Sequence, residues 1–193
     1  MSQRRRRTIL LALFGAALAP VLAWSVLAVT RATPPGAYTA PGLPPLTPEA
    51  ARAEMFLLLP ALLTVVYEAF GQTEEAAIYD TLARAAHGTA LESLYVERAG
   101  ALQGGGLTDA DQTIHEMQVL GITTSQRGET FSLDAHWQVI GTVGHSEHIH
   151  VRGNAYRADL DLAPVAGAWK IVDFALREVD RTGAGEQYVV DTP

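Results

Sequence analysis

The chain has 193 residues, with 14 Lys or Arg, 21 Asp or Glu and no cysteine, which is enough for one ordinary domain and an appendage. Residues 1–31 hold five of the arginines and no acid, so the remainder sets nine basic residues against 21 acids, a net charge of −12. This balance argues against nucleic acid or an anionic membrane surface as the main partner of that remainder. The lack of cysteine excludes disulfides and thiolate metal ligands.

The first thirty residues predict a membrane segment. Residues 1–7 form a basic N-terminus, and residues 8–30 are twenty-three consecutive residues without a charge. A helix of that length crosses a hydrocarbon core of about 30 Å, and its basic end is expected to stay in the cytoplasm. We therefore predict a single-pass anchor in a bacterial inner (cytoplasmic) membrane. A cleaved signal peptide is the competing interpretation, although its apolar core is usually shorter. Both interpretations place the remainder outside the cytoplasm, in the periplasm.

The next part of the chain is predicted to be a linker and then a helical half-domain. Residues 31–47 are rich in proline and glycine, which favours an extended linker. Residues 48–182 are predicted to form the folded domain, and residues 183–193 a tail. Helical patterns begin at residue 49, at residue 74 with Thr73 as N-cap, and at residue 89. Pro60 is expected to kink or split the first of these three helices.

After Asp111 the apolar residues alternate, which predicts strands. Four long strands are expected at residues 112–124, 131–143, 148–162 and 168–180, and their short connections favour an antiparallel meander. Helices followed by strands are typical of an α+β fold. We predict an N-terminal transmembrane helix, then three helices packed on a curved four-stranded antiparallel sheet.

Two motifs in this half carry a resemblance to known families. The last strand begins Gly167-Ala168-Trp169-Lys170-Ile171, and with three leading helices it resembles the nuclear transport factor 2-like (SnoaL-like) superfamily. The stretch from Gly144 to Tyr156 resembles a bacterial membrane-anchored family with a Gly-His-x-x-His-x-His-x-Arg-x-Asn-x-Tyr pattern. The superfamily resemblance implies a cone-like domain over residues 48–180. Because that superfamily includes isomerases, cyclases, dehydratases and pure binding modules, it does not select an activity.

Four of the six histidines lie within fifteen residues, and imidazole is the commonest metal ligand of proteins. If residues 146–147 form a two-residue turn, His145 pairs with His148 and shares one face with His150, with Cβ atoms about 4.5–5.5 Å apart in a cross-strand pair. Arg152 and Asn154 then extend the same row. If the loop has an odd length, His148 and His150 instead share the face of His136.

Several interpretations of these residues stay open. Neutral imidazoles would bind zinc, copper or nickel rather than calcium or magnesium, and protonation below about pH 6 would release the ion. A small-ligand or proton-transfer site is the second interpretation, in which a guanidinium could bind a carboxylate. A solvated strand end is the third. The predicted metal ligands, for zinc or copper, are His145, His148 and His150, and the predicted ligand-binding residues are His136, Arg152, Asn154 and Tyr156.

The sequence favours a membrane-tethered extracytoplasmic accessory or binding module, with a protein partner in the membrane or periplasm and no nucleic acid. One alternative is an isomerase-, dehydratase- or hydrolase-like enzyme that uses a histidine general base inside the cone. A second is a structural subunit of a membrane complex. No Ser-His-Asp order, phosphate-binding loop or dinucleotide fingerprint occurs in the sequence, which favours the binding module over the enzyme.

Overall fold

The computed structural model describes the backbone of residues 34–103, 111–145 and 148–189, and the side chains of residues 34–99, 114–142 and 153–180. The predicted anchor at residues 8–30 lies outside these residues. No helix in the described ranges is long and apolar enough to cross a bilayer. The described residues form four helices: α1 (Pro48–Ala53), α2 (Met55–Phe70), α3 (Glu75–Ala85) and α4 (Thr89–Gln103).

The strands form one curled, six-stranded mixed sheet in the order β2-β1-β6-β5-β4-β3. Two strands are short and four are long, and the long ones run antiparallel to their neighbours in chain order. The strands are β1 (Tyr38–Ala40), β2 (Leu43–Leu46), β3 (Asp111–Arg127), β4 (Thr130–His145), β5 (His148–Val165) and β6 (Ala168–Val189).

The predicted fold was wrong in its strand count, its strand directions and its helix count. Within the described residues the sheet has six strands instead of four, and β1 pairs with β6 in parallel through Thr39 and Ala168. The same residues form four helices, where three are predicted after the anchor. The two additional strands lie in the Pro-rich segment that the sequence predicts to be a linker. At the other end, β6 continues to Val189, into the predicted tail.

Side-chain contacts with β6 explain why the Pro-rich segment forms strands. Leu46 is buried, and its carbonyl accepts a hydrogen bond of 3.0 Å from the indole of Trp169, which is itself fully buried. The ring of Tyr38 packs edge-on against Trp169 with centroids 5.5 Å apart. Gly42, at a φ of +68°, turns the chain between β1 and β2 after Pro41, as type II turns require. The segment is therefore held by burial and by a turn that suits its Pro-Gly sequence.

The helix breaks differ from those predicted. The first helical segment is interrupted at Glu54, whose carbonyl accepts from the amides of both Leu57 and Leu58, while Pro60 lies inside α2. Thr73 is not the N-cap of α3, because that position is taken by Glu74 without a side-chain capping bond. The local signals at Pro60 and Thr73 therefore do not mark the helix boundaries of this structure.

The helices cover one face of the long strands, here called the inner face. Along β4 the inner face carries the buried residues Phe131, Leu133, Ala135 and Trp137, which alternate with more exposed ones. They form one core with apolar residues of the helices, such as Leu58 and Leu62 of α2 and Ile78 and Leu82 of α3. Along β4 the opposite, outer face carries mostly polar residues, among them Ser132, Asp134, His136 and Gln138.

Candidate functional site

The backbone of the β4–β5 hairpin settles the register of the histidine cluster. His145 pairs with His148, and Val143 pairs with His150, without any irregularity between β4 and β5. Cross-strand partners lie on the same face of a sheet. The three histidines therefore occupy inner-face positions that continue from Trp137 and Val139. This is the first of the two registers considered from the sequence.

The same register places the predicted ligand-binding residues of β5. Tyr156 pairs with Trp137, Asn154 with Val139, and Arg152 with Gly141, so all three share the inner face with the histidines. Asn154 donates a hydrogen bond of 3.2 Å to the hydroxyl of Tyr156. The sheet thus brings six of the seven predicted site residues to one strip of the inner face.

His136 is the exception among the predicted residues. It pairs with Arg157 of β5 and with Gly121 of β3, on the outer face. Beside it, Asp134 lies 3.9 Å from Arg157 in an ion pair that is more than half exposed on both sides. An acid–base pair of Asp134 and His136 would therefore face away from the hairpin histidines and from Tyr156.

An aromatic group forms the inner end of this strip. Tyr156 stacks on Trp137 with centroids 5.5 Å apart and an angle of 18° between the rings. The indole of Trp137, which is only 2% exposed, donates a hydrogen bond of 2.9 Å to the hydroxyl of Tyr67 in α2. The ring of Tyr67 lies 6.5 Å from that of Tyr156. Helix α2 and strands β4 and β5 thus meet at three aromatic rings.

Burial raises the pKa of both tyrosine hydroxyls of this group. Burial raises the pKa of Tyr67 well above its ordinary value, against a smaller lowering effect of the Trp137 hydrogen bond. Burial also raises the pKa of Tyr156, which the bond from Asn154 partly opposes. The carboxylate of Glu97 in α4 raises both values slightly. Both hydroxyl groups accept a hydrogen bond, that of Tyr67 from Trp137 and that of Tyr156 from Asn154.

Sequence reasoning missed Tyr67 and Arg98. Tyr67 lies in a strongly apolar helix, and nothing in the helical pattern indicates that its hydroxyl meets Trp137. Arg98 of α4 is only 6% exposed, and its guanidinium donates a bond of 2.9 Å to the carbonyl of Gln72, just after the end of α2. Burial lowers the pKa of Arg98. Its position indicates a structural role at the C-terminal end of α2, where a cation is stabilising.

The Trp-Lys motif of the last strand also has a structural role. Trp169 holds β2 through Leu46, as described above, and the amine of Lys170 donates a bond of 2.5 Å to the carbonyl of Ala83 near the end of α3. These contacts connect β6 to strand β2 and to helix α3. The motif therefore stabilises the fold, and it pairs with the end of β5 that lies away from His148 and His150.

The described side chains contain no group of three or more His, Asp or Glu residues arranged to hold a metal ion. The side chains of His145, His148 and His150 lie outside the described ones, so a metal site there rests on the backbone register. The register places one cross-strand histidine pair and a third histidine two residues farther along the same row. Two imidazoles at the Cβ spacing of such a pair can reach one zinc ion, with bonds of about 2.0–2.1 Å.

Comparison with protein-family models and with curated proteins gave no match. Among solved structures, the intermembrane space region of the chloroplast protein ARC6 is similar, with a TM-score of 0.46 and 19% sequence identity. The match covers 66% of this chain and 95% of that one. A likeness at this level assigns neither a family nor a function to the chain.

Proposed function

We propose that this chain is a membrane-tethered, extracytoplasmic binding module whose β4–β5 hairpin binds a transition metal through His145, His148 and His150. The observation that carries the proposal is the in-register pairing of His145 with His148. That pairing puts three imidazole-bearing residues on adjoining positions of one face. The membrane tether rests on the uncharged run at residues 8–30.

The chemical nature of the ligands narrows the choice of metal ion. Three imidazoles without a thiolate suit zinc or copper, because cysteine is absent from the chain and neutral nitrogen ligands disfavour calcium and magnesium. Binding requires the histidines in their neutral form, so the ion is released as they become protonated below about pH 6. The three ligands would come from two paired strands, and a backbone held by that pairing lowers the entropic cost of assembling a site.

The test is zinc binding by the full chain in mild detergent. A fragment beginning at residue 48 is unsuitable, because it would lack β1 and β2 and expose Trp169. We expect one zinc per chain, measured by elemental analysis after dialysis, and a loss of at least about tenfold in affinity, or about 1.4 kcal/mol, in the double variant His148→Ala/His150→Ala.

A matched control removes two other imidazoles. His87 and His115 are exposed, and they lie outside the hairpin. The double variant His87→Ala/His115→Ala should therefore keep the zinc content and affinity of the unmodified chain. Equal zinc loss in both double variants would show nonspecific binding to histidine, and unchanged zinc in the hairpin variant would overturn the proposal.

A further inference from the structure

The solvent-facing side of helix α2 begins with an uncharged, apolar surface. Residues 55–67 of this helix carry no charge. Phe56 and Leu57 are 55% and 56% exposed, and Pro60 and Ala61 follow one turn later on the same side, where they are partly exposed. The next exposed residue on that side is Thr64, whose hydroxyl donates a bond of 2.8 Å to the carbonyl of Pro60. We call Phe56, Leu57, Pro60 and Ala61 the apolar end of α2.

The apolar end of α2 differs from the other exposed apolar positions. Among the described side chains, no other two exposed large apolar residues adjoin in sequence. The two charged residues that precede Phe56 most closely, Arg52 and Glu54, are both exposed and of opposite sign, so this rim adds no net charge. A contiguous apolar surface of this kind is typical of a contact with another protein or with a membrane.

The start of α2 lies at one end of the long strands, which we call the Trp169 end. Leu46 is bonded to Trp169, and α2 begins nine residues after Leu46, with the short helix α1 between them. Farther along α2, Tyr67 is bonded to Trp137 of β4. Trp137 lies six residues, or about 20 Å, along β4 from Phe131, whose ring packs 5.5 Å from that of Trp169. Helix α2 therefore runs from the Trp169 end toward the middle of the sheet.

The Trp169 end also carries the connection to the uncharged run at residues 8–30. Tyr38, the first residue of β1, packs against Trp169, and only residues 31–37 separate it from that run. Seven residues span at most about 25 Å when fully extended, and the turn at Gly36, with a φ of +75°, shortens this reach. If residues 8–30 cross a bilayer, the Trp169 end must lie close to the lipid surface.

We propose that the apolar end of α2 rests on the lipid bilayer, with Phe56 and Leu57 inserted among the lipid headgroups. The inference rests on the membrane tether of the proposed function and adds a second contact, which fixes the orientation of the domain. The contact is apolar, so it does not need the anionic lipids that the net charge of −12 after residue 31 disfavours.

The depth of this contact is limited by Pro60. Proline has no N–H group, so the carbonyl of Phe56 lacks its donor within α2. An unpaired carbonyl is costly in hydrocarbon but is satisfied by water at the headgroup level. We therefore expect Phe56 and Leu57 to reach the interface and not the centre of the bilayer.

The test uses the absence of cysteine from the chain. Phe56→Cys, Leu57→Cys and Val96→Cys each provide one thiol for the fluorophore NBD, and the full chain is reconstituted in phosphatidylcholine vesicles with nitroxide-labelled phosphatidylcholine as quencher. Val96 is the control, because it is 67% exposed and lies near Arg98, which contacts Gln72 beyond the C-terminal end of α2. We expect quenching at positions 56 and 57 to exceed that at 96 at least about threefold.

A second set of variants separates the apolar pair from the effect of the tether alone. NBD is placed on Ala61→Cys, one turn after Leu57, with and without Phe56→Ser/Leu57→Ser. The double substitution should lower quenching at position 61 to the level found at 96. Val96→Ser, which also removes an exposed apolar side chain, should leave quenching at 61 unchanged. Melting temperatures of all variants should stay close to that of the unmodified chain, because the substituted side chains are exposed.

Extraction of the vesicles with alkaline carbonate distinguishes failure of this inference from failure of the tether. A retained chain with equal quenching at positions 56, 57 and 96 overturns the docking and leaves the tether in place, whereas a chain released by carbonate overturns both. A label at position 56 that is shielded from aqueous iodide but not quenched by lipid would show that protein covers this surface, which also overturns the inference. Zinc binding is measured in detergent, so its result is independent of these outcomes.

Discussion

The hydrogen bond between Trp137 and Tyr67 gives the sharpest test of how helix α2 is fixed to the sheet. In Tyr67→Phe the indole of Trp137, 2% exposed and now without its acceptor at 2.9 Å, would be left unpaired. Leaving a buried donor unsatisfied costs about 1–3 kcal/mol. We expect a loss of that size in the free energy of unfolding, measured with urea and followed by tryptophan fluorescence.

Tyr79→Phe is the control for this prediction, because Tyr79 is 45% exposed and its change should stay within about 0.5 kcal/mol. A double-mutant cycle with Trp137→Phe then isolates the pair. The two partners should show a coupling energy of roughly 0.5–1.5 kcal/mol. Tyr67→Phe with the stability of the unmodified chain, or strictly additive effects in the cycle, would refute the reasoning.

Three further outcomes follow from the described contacts. Burial raises the pKa of Tyr67, so its contribution to stability is present below the ordinary tyrosine pKa of about 10 and is lost as the pH rises above it. Between about pH 9 and 11, the urea midpoint of Tyr67→Phe should therefore fall less steeply than that of the unmodified chain. Equal slopes would contradict this prediction. Lys170→Met removes the donor to the carbonyl of Ala83 and should cost about 0.5–1 kcal/mol in urea unfolding, whereas no loss would show that the bond is not formed. Trp169→Phe removes the donor to Leu46 and should cost roughly 1–3 kcal/mol. It should also speed hydrogen exchange at the amides of Leu43 and Leu46, the two residues of β2 that are not proline, and unchanged exchange at both amides would refute that attachment.

The long strands could be located from the sequence because their apolar residues alternate in phase with burial. Phe131, Leu133, Ala135 and Trp137 form an unbroken alternation in β4, and each of them is buried. Strand β6, in contrast, continues past its predicted end to Val189. Its backbone pairs with β5 as far as His148, and this backbone pairing does not require apolar and polar residues to alternate.

The strand count could not be predicted from composition. Proline and glycine in residues 31–47 suggest a linker, but Leu46 finds a buried place against Trp169, 123 residues away in sequence. Such a contact has no local signature. The Pro41-Gly42 pair is a local signal of the β1–β2 turn, but proline and glycine are equally typical of a linker.

The candidate site was predictable only as a set of residue types. The sequence shows three closely spaced histidines, but their common face depends on the parity of the loop at residues 146–147, which the pairing of His145 with His148 decides. His136 could be assigned to either face until the register was known.

The central claim is that the β4–β5 hairpin binds a transition metal, and zinc analysis of the full chain tests it most directly. The account predicts one zinc per chain, retained in His87→Ala/His115→Ala and lost in His148→Ala/His150→Ala. A hairpin variant that keeps its zinc at the affinity of the unmodified chain would contradict it.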